Sequence, residues 1–385
     1  MYRRNIYLMY LISLFQGMVF YAPVATLYRQ AQGVTVLQIT LIESISLVLC
    51  MVMELPWGII ADKIGYKRTM ILCNGVYFIS KIVFWRASGF GGFLAERIML
   101  SVVCAGLSGV DASILYLSCE EGESQKVFSI YDGLGTVGLL ITSVVYSAFI
   151  GDNYRLSGFL TVISYGVAML ISFPLKEVKR TGEEKDSITE FVHFFKHTFK
   201  NKQLFLFLLG IALFNEAHQT ITVFLSQLQY VRAGISNSMM GVIYGIITVV
   251  ALSSFFSDKM TKKMGDGRMM RSCFLAAAVS CILLAFTNQA IPTVIGVILL
   301  RLGFSLAQPL QTELQNRQVT TENRATALSV NSVFMDSVGI GTNVVFGALA
   351  EYSLPIALGF GAVVCVAGWL LFELWNQLSR GNYLK

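Results

Sequence analysis

The stretch Gly58-Ile59-Ile60-Ala61-Asp62-Lys63-Ile64-Gly65-Tyr66-Lys67-Arg68 decides how the rest of the chain is read. An apolar run stops inside it, a carboxylate and an ammonium follow at once, and a glycine and a basic cluster lead into the next apolar run. That is the composition of a tight polar turn between two hydrophobic helices. A hydrocarbon core of about 30 Å needs about 20 apolar residues per helical crossing, and runs of that length recur on both sides of the turn. Their period is helical, unlike the short alternating strands of a membrane barrel. Of the 385 residues 55% are hydrophobic and only 14% charged, and the mean hydropathy is +0.64. A soluble domain carries about 25% charged residues, so this chain lacks the polar surface to face water. An all-α integral membrane protein follows.

Twelve spans are expected, over 5–28, 38–60, 69–87, 91–117, 125–149, 154–175, 203–229, 236–257, 270–288, 291–315, 324–349 and 353–377. The first is too long for a signal peptide, lacks a small-residue cleavage site and is followed at once by a second. An even number of spans puts both termini on one side. Of the 29 Lys and Arg residues, 22 fall on that side, with the motif turn, and four in the opposite loops. The positive-inside rule then places both termini and the turn in the cytoplasm, in a multi-pass protein of the cell membrane. The net charge of +6 is thereby explained without nucleic acid. Seven cysteines are scattered with no CxxC pair, so no metal site and no cofactor is expected.

The second half echoes the first. Asp62-Lys63 recurs as Asp258-Lys259, Gly106-Leu107-Ser108 parallels Gly303-Phe304-Ser305, and Lys126 parallels Arg324, at offsets of 196 to 198. A near-constant offset predicts two pseudo-symmetric six-helix bundles, over residues 1–175 and 203–385. Between them, 176–202 holds seven basic and five acidic residues and reads as a cytoplasmic linker. Within it, Phe191, Phe194, Phe195 and Phe199 are spaced to form one face of an amphipathic surface helix.

The pattern Gly-x-x-Ala-Asp-Lys-x-Gly-x-Lys-Arg between the second and third spans resembles the signature loop of the major facilitator superfamily. The resemblance covers the whole chain: twelve spans, a central loop and a degenerate second copy of the loop. It implies a secondary carrier working by alternating access, with Asp62 helping to latch the cytoplasmic side when the carrier faces outward. The implied conformational gate comprises Gly58, Asp62, Lys63, Gly65, Lys67 and Arg68, with Asp258 and Arg324. A carboxylate beside a helix N-terminus is favoured, and Arg324 offers a cation at the start of the eleventh span. Tyr66 stands where the family usually has arginine.

Ionisable groups inside spans cost roughly 2.5–3.5 kcal/mol each on insertion scales and mark pathways or pairs. Counted back from the turn between spans ten and eleven, Arg301 and Asp336 reach the same depth, near the midplane. Glu216 lies at about that level, with His218 and Gln219 nearby. Glu216, His218, Gln219, Arg301, Gln308 and Asp336, with Gln16 and Tyr21 in the first span, are the expected substrate-binding residues. The competing reading is an Arg301–Asp336 ion pair that only braces the second half. Glu54, Asp111 and Asp132 form a second layer, about two turns inside the cytoplasmic edge. Crowded carboxylates can hold a proton, so they are candidates for proton coupling; separate hydrogen bonds to backbone or gate residues are the alternative. Glu43 and Lys81 are expected to pair near the outer ends of spans two and three. Glu96 and Arg97 are expected at the outer interface.

No GxxxxGK[ST] occurs, so no phosphate-binding loop of an ATPase is present, and no catalytic constellation of an enzyme is visible. The expected partners are a small-molecule substrate, protons and the lipid bilayer, with the chain acting as a monomer. Export by antiport is the first reading, because short, loop-poor relatives look like drug or metabolite exporters. Uptake by symport of a sugar, amino acid or other metabolite is the alternative, since no proline occurs between 125 and 149, where the family's drug–proton antiporters carry a Gly-Pro pattern. A non-transporting membrane sensor or scaffold is the alternative of another class.

Overall fold

The computed structural model describes residues 3–120, 123–178, 201–318 and 324–383. All of their regular secondary structure is helical. Among the described residues, eleven helical stretches are long and apolar enough to cross a membrane. A further helix, α4 (Tyr66–Arg86), has the length of a span at 21 residues but carries Lys67, Arg68, Lys81 and Arg86. Phe149, Phe255, Phe286 and Ile291 are among the most exposed side chains, the inverse of a water-soluble surface. This is the architecture expected from the sequence, an all-α membrane protein, and its helix pairing repeats between the halves.

By contacts the chain divides into two units, Met1–Gly182 with Ser236–Thr248, and Glu183–Ile235 with Val249–Lys385. In the first unit, α1 (Arg3–Gly17) and α2 (Ala25–Ala31) form span one. They are followed by α3 (Val36–Ile64), α4, α5 (Gly89–Leu107), α6 (Val110–Tyr116), α7 (Ser124–Val145) and α8 (Tyr154–Ser172). Helix α1 packs on α7 and α8, α4 on α5 and α8, and α3 on α5. The start of α11 (Asn237–Ala251) also belongs here: Ser143 Oγ donates to Gly241 O at 2.7 Å, and Asn237 Nδ2 to Asp152 Oδ1 at 2.8 Å.

In the second unit, α9 (Lys202–Thr220) runs through a π turn at Ile221–Leu225 into α10 (Ser226–Arg232). Then come the end of α11, α12 (Ser257–Met264), α13 (Asp266–Phe286), α14 (Ala290–Gln318), α15 (Arg324–Tyr352) and α16 (Leu354–Tyr383). Helix α9 packs on α15 and α16, and α13 on α14 and α16. The order of partners is that of the first unit, so the two-fold repeat is present in the pairing itself. Phe214, Phe274, Phe372 and Trp375 link α9, α13 and α16 as an aromatic core, with centroids 4.9–5.9 Å apart along the series.

Expected spans one and four are not continuous. Span one opens after Gly17 and resumes at Ala22, where Pro23 has no N–H to give the preceding turn. The freed backbone groups are met by α8. Phe20 N donates to Thr161 Oγ1 at 2.9 Å, while Ser164 Oγ and the Tyr165 hydroxyl donate to Phe15 O at 2.6 Å and Gln16 O at 2.7 Å. Buried backbone away from water is tolerated only with such partners. Span four opens at Ser108–Gly109, where Gly109 has φ +78°.

Gly65 ends α3 with φ +92° and ψ 153°, and Gly265 ends α12 with φ +83° and ψ 151°. Each is followed by a 21-residue helix. The two copies of the turn are therefore in register at an offset of 200, not the 196 suggested by the Asp-Lys pairs. Lys262 occupies the place of Asp62, and Asp258 lies four residues, about one helical turn, further from its glycine. The sequence match followed residue type; the backbone follows the turn that only glycine fills cheaply.

Gly65→Ala is expected to cost more than Gly265→Ala. Both hold a positive φ with an extended ψ, a region essentially glycine's alone that costs other residues about 1–3 kcal/mol, but a Cβ at Gly65 would lie 2.7 Å from Glu177 Oε2, while none at Gly265 would meet an atom within 4 Å. Thermal unfolding of the two purified variants checks this. Equal losses would show that the Glu177 contact contributes nothing.

Candidate functional site

The second unit brings together much of the expected substrate set. His218 lies in the last turn of α9, 1% exposed, with its ring stacked on Phe304 of α14 at 3.8 Å and 2°. Its Nε2 is 3.4 Å from Arg301 Nη1. Arginine is always a donor, so Nε2 accepts and the ring's hydrogen sits on Nδ1, for which the described residues offer no acceptor. Arg301 also lies over the Phe304 ring, 5.8 Å from its centroid. Glu216 reaches the other neighbour of α9: a Cβ on Gly339 of α15 would come within 2.8 Å of the Glu216 carboxyl group. Asp336 is one turn before Gly339 on the same helix and, like Glu216 and Arg301, is partly buried, whereas Gln219 and Gln308 are exposed. A π turn begins at Ile221, just after the end of α9 at Thr220, and π turns inside helices occur frequently at functional sites. Just before it, Thr220 Oγ1 donates to Asn343 Oδ1 at 2.8 Å.

In the first unit Gln16 sits at the break in span one, its Nε2 donating to Asn74 Oδ1 at 2.9 Å. Tyr21, 6% exposed, is the last residue of the break and stacks on Phe84 at 3.8 Å. Of the acidic layer, Asp111 is partly buried and Asp132 is exposed; Asp111 accepts from Ala112 N at 2.7 Å. Asp132 is close enough for its charge to act on Asp111. The Glu54 side chain lies outside the described residues.

At the gate, the Glu177 carboxylate occupies the N-terminal end of α4, where Oε1 accepts from Lys67 N at 3.3 Å. An acid at a helix start is favoured by the dipole and the free N–H groups. Sequence reasoning missed Glu177, although it follows the sixth span directly. Lys63 is exposed and Lys67 partly buried. Asp258 is paired to Lys262 on its own helix at 2.7 Å. The side chains of Asp62 and Arg324 lie outside the described residues, as does the proposed amphipathic helix within 176–202.

The expected Glu43–Lys81 pair is not formed, and Glu96 is not interfacial. Glu43 takes Arg97 at 2.5 Å, while Lys81, 4% exposed, faces Glu96, 0% exposed, at 3.6 Å. Equal depth on adjacent helices suggested the first pairing; the packing of α5 against both α3 and α4 supplies each group with a nearer partner. Lys81 Nζ donates to the Tyr21 hydroxyl at 2.9 Å. It also lies 5.0–5.6 Å from the ring centroids of Tyr21, Tyr77 and Tyr165. Arg29, 8% exposed, lies over Phe84 and Phe93. The signal for this cluster was in the sequence, where Arg29, Glu43, Lys81, Glu96 and Arg97 lie toward the ends of spans one to four remote from the motif turn, but their partners depended on helix rotation.

A helical membrane protein with broken spans and ionisable side chains buried inside each of two repeats is built as a carrier of small molecules. The sequence model of the Major Facilitator Superfamily matches residues 6–342, and the chain belongs to that family. It is 23% identical over 352 residues to an uncharacterised MFS-type transporter of Methanocaldococcus jannaschii, covering 87% of this chain and 88% of that protein. Among solved structures, it superposes on the nucleoside transporter NupG with a TM-score of 0.82 at 15% identity, covering 96% of this chain and 98% of the other. For a bacterial homologue of the lysosomal transporter Spinster, the TM-score is 0.73 at 16% identity, covering 97% and 95%. For the peptide transporter POT, solved as a point mutant, it is 0.77 at 13%, covering 98% and 94%. At these identities the likeness is one of fold.

Proposed function

We propose that this membrane transporter is a proton-coupled secondary carrier that exports a small molecule by antiport, through alternating access. The observation that carries the reading is the placing of polar and ionisable groups beside interrupted helices. Gln16 and Tyr21 flank the opening in span one, and Glu216, His218 and Arg301 gather where α9 turns into its π segment. Interrupted helices are where carriers of this kind bind substrate and coupling ions. Glu216, His218, Gln219, Arg301, Gln308 and Asp336 with Gln16 and Tyr21 bind the substrate; Glu54, Asp111 and Asp132 carry protons. The motif turn, with Asp258 and Arg324, shifts the population between states according to which one substrate or proton binds better. The chain works as a monomer in the cell membrane with both termini in the cytoplasm, catalyses no covalent chemistry, and consists of bundles 1–175 and 203–385 joined by 176–202. Uptake by symport is the second reading, favoured by the absence of proline from α7.

The test is reconstitution into liposomes under an imposed pH gradient, with cationic dyes and labelled metabolites as probes. Glu216→Gln and Asp132→Asn are each expected to lower gradient-driven transport at least about tenfold, the scale of about 1.4 kcal/mol of lost coupling. Unchanged coupling in both variants would remove these residues from the mechanism. No proton-linked movement of any probe would sink proton coupling itself.

A further inference from the structure

We propose that the α13–α16 face of the second unit binds the headgroup of an anionic phospholipid, with Arg268 and Arg271 holding its phosphate. Both arginines lie in the first two turns of α13. Arg271 opens a stripe that continues, at spacings of four and three residues, through Leu275, Val279 and Ile282, all exposed. On α16 the exposed Val363, Val366 and Leu370 lead in the same way to Glu373. Exposed apolar stripes on two packed spans of a membrane protein are surfaces for lipid chains. The charged residues at the ends of the stripes therefore stand where chains meet headgroups. Arg271 is five residues past the start of α13, about 7.5 Å along the axis, and the headgroup layer on one side of a bilayer is about 5–7 Å thick.

Glu373 fixes the direction of the Arg271 guanidinium. Nε donates to Oε1 at 2.5 Å and Nη2 to Oε2 at 2.8 Å, a two-bond fork that sets the plane of the group. Trp369 Nε1 also donates to Oε1, at 3.3 Å. Two of the five guanidinium N–H groups are used in this way. The other three find no acceptor among the described residues, on a side chain that is 47% exposed. Arg268, one turn earlier, is exposed too, and its guanidinium has no partner among the described residues. Donors that a protein leaves open at this depth are met by the phosphate and ester oxygens of lipid.

The charges select the lipid. Asp266, at the start of the same helix, is held by Arg317 of α14 at 2.7 Å. Arg268, Arg271 and Glu373 together carry one positive charge, which matches a phosphodiester with a single negative charge and an uncharged alcohol. A zwitterionic headgroup brings an ammonium as well, and both Glu373 oxygens are already engaged by Arg271 and Trp369. Arginine suits this task better than lysine, because its planar fork can bond a carboxylate along one edge and phosphate oxygens along the other. The site uses none of the residues assigned to substrate or protons and does not depend on the proposed coupling.

Native mass spectrometry of the full-length protein tests the site, with titration in detergent by phosphatidylglycerol or by phosphatidylcholine of the same chains. Wild type is expected to bind the first phosphatidylglycerol more tightly than the first phosphatidylcholine. Arg268→Gln, which leaves the Arg271–Glu373 pair intact, should weaken that first binding about fivefold, the scale of one basic residue near an anionic lipid surface. Adding Arg271→Gln should abolish the preference, and Lys263→Gln, at an exposed position of α12, should leave it unchanged. In thermal unfolding, phosphatidylglycerol should raise the wild-type midpoint more than phosphatidylcholine does, and the two lipids should act equally on the double variant. Equal binding of both lipids by wild type, or an unchanged preference in Arg268→Gln, overturns the site. So does an equal loss in Lys263→Gln, which would mark attraction by the general positive charge at this end of the bundle.

Discussion

Gly138→Leu is expected to prevent the first unit from assembling, while Gly133→Leu, five residues earlier on the same helix, leaves it intact. A Cβ at Gly138 would lie 2.4 Å from Leu14 O and 2.9 Å from the Gly17 backbone, and one at Gly17 would lie 2.3 Å from Gly135 O. The crossing of α1 over α7 is therefore backbone on backbone, the close approach small residues permit between membrane helices. Overpacking a core that relaxes by rotating side chains costs about 1–3 kcal/mol. Here the obstructing atoms belong to a second helix, so the cost exceeds that range. At Gly133 a Cβ meets nothing within 4 Å. Size-exclusion profiles and thermal unfolding of both variants in detergent decide the matter. Two equally well-behaved proteins would mean that the helices can separate without loss.

The second large effect is at Lys81. Lys81→Met leaves the wholly buried Glu96 without its cation, and removing one partner of a buried pair costs about 3–5 kcal/mol. The double variant Lys81→Met with Glu96→Gln removes both charges and is expected to recover most of that loss, since replacing a buried pair by neutral groups is often close to neutral. Measured as a double-mutant cycle in alkaline buffer, a strong non-additive term is expected between positions in contact. Simple additivity would show that Lys81 stabilises the bundle through its tyrosines alone. Arg97→Met would break the parallel pair with Glu43, but both of those groups are less deeply buried, and its cost should be smaller.

The contrast between these sites shows which parts of the protein could be read from residue order. The helices themselves could: apolar runs of span length, the Gly65 turn and the asymmetry of Lys and Arg need no knowledge of packing. The discontinuities were only half legible. Pro23 and Gly109 stood in the sequence as breakers, yet whether a span opens there depends on Thr161, Ser164 and Tyr165 of α8 reaching the freed backbone. His218 and Arg301 were placed in one site by depth counting. Depth carries no rotation, so the stacking of His218 on Phe304 and the exposure of Gln219 and Gln308 could not follow from it.

Rotation is also why the ionic cluster of the first unit was misassigned. Glu43, Lys81, Glu96 and Arg97 lie at similar heights on α3, α4 and α5, and several pairings are consistent with that spacing. Residue order is enough to establish a helical membrane carrier with a repeated half, because span length, the turn glycine and charge asymmetry are properties of local composition. Packing was needed to assign Arg97 to Glu43, to set Lys81 among three tyrosines, and to bury Glu96 without a donor. Those outcomes depend on which face each helix turns toward its neighbours, and at α1 over α7 that face was set by three glycines that let two backbones touch.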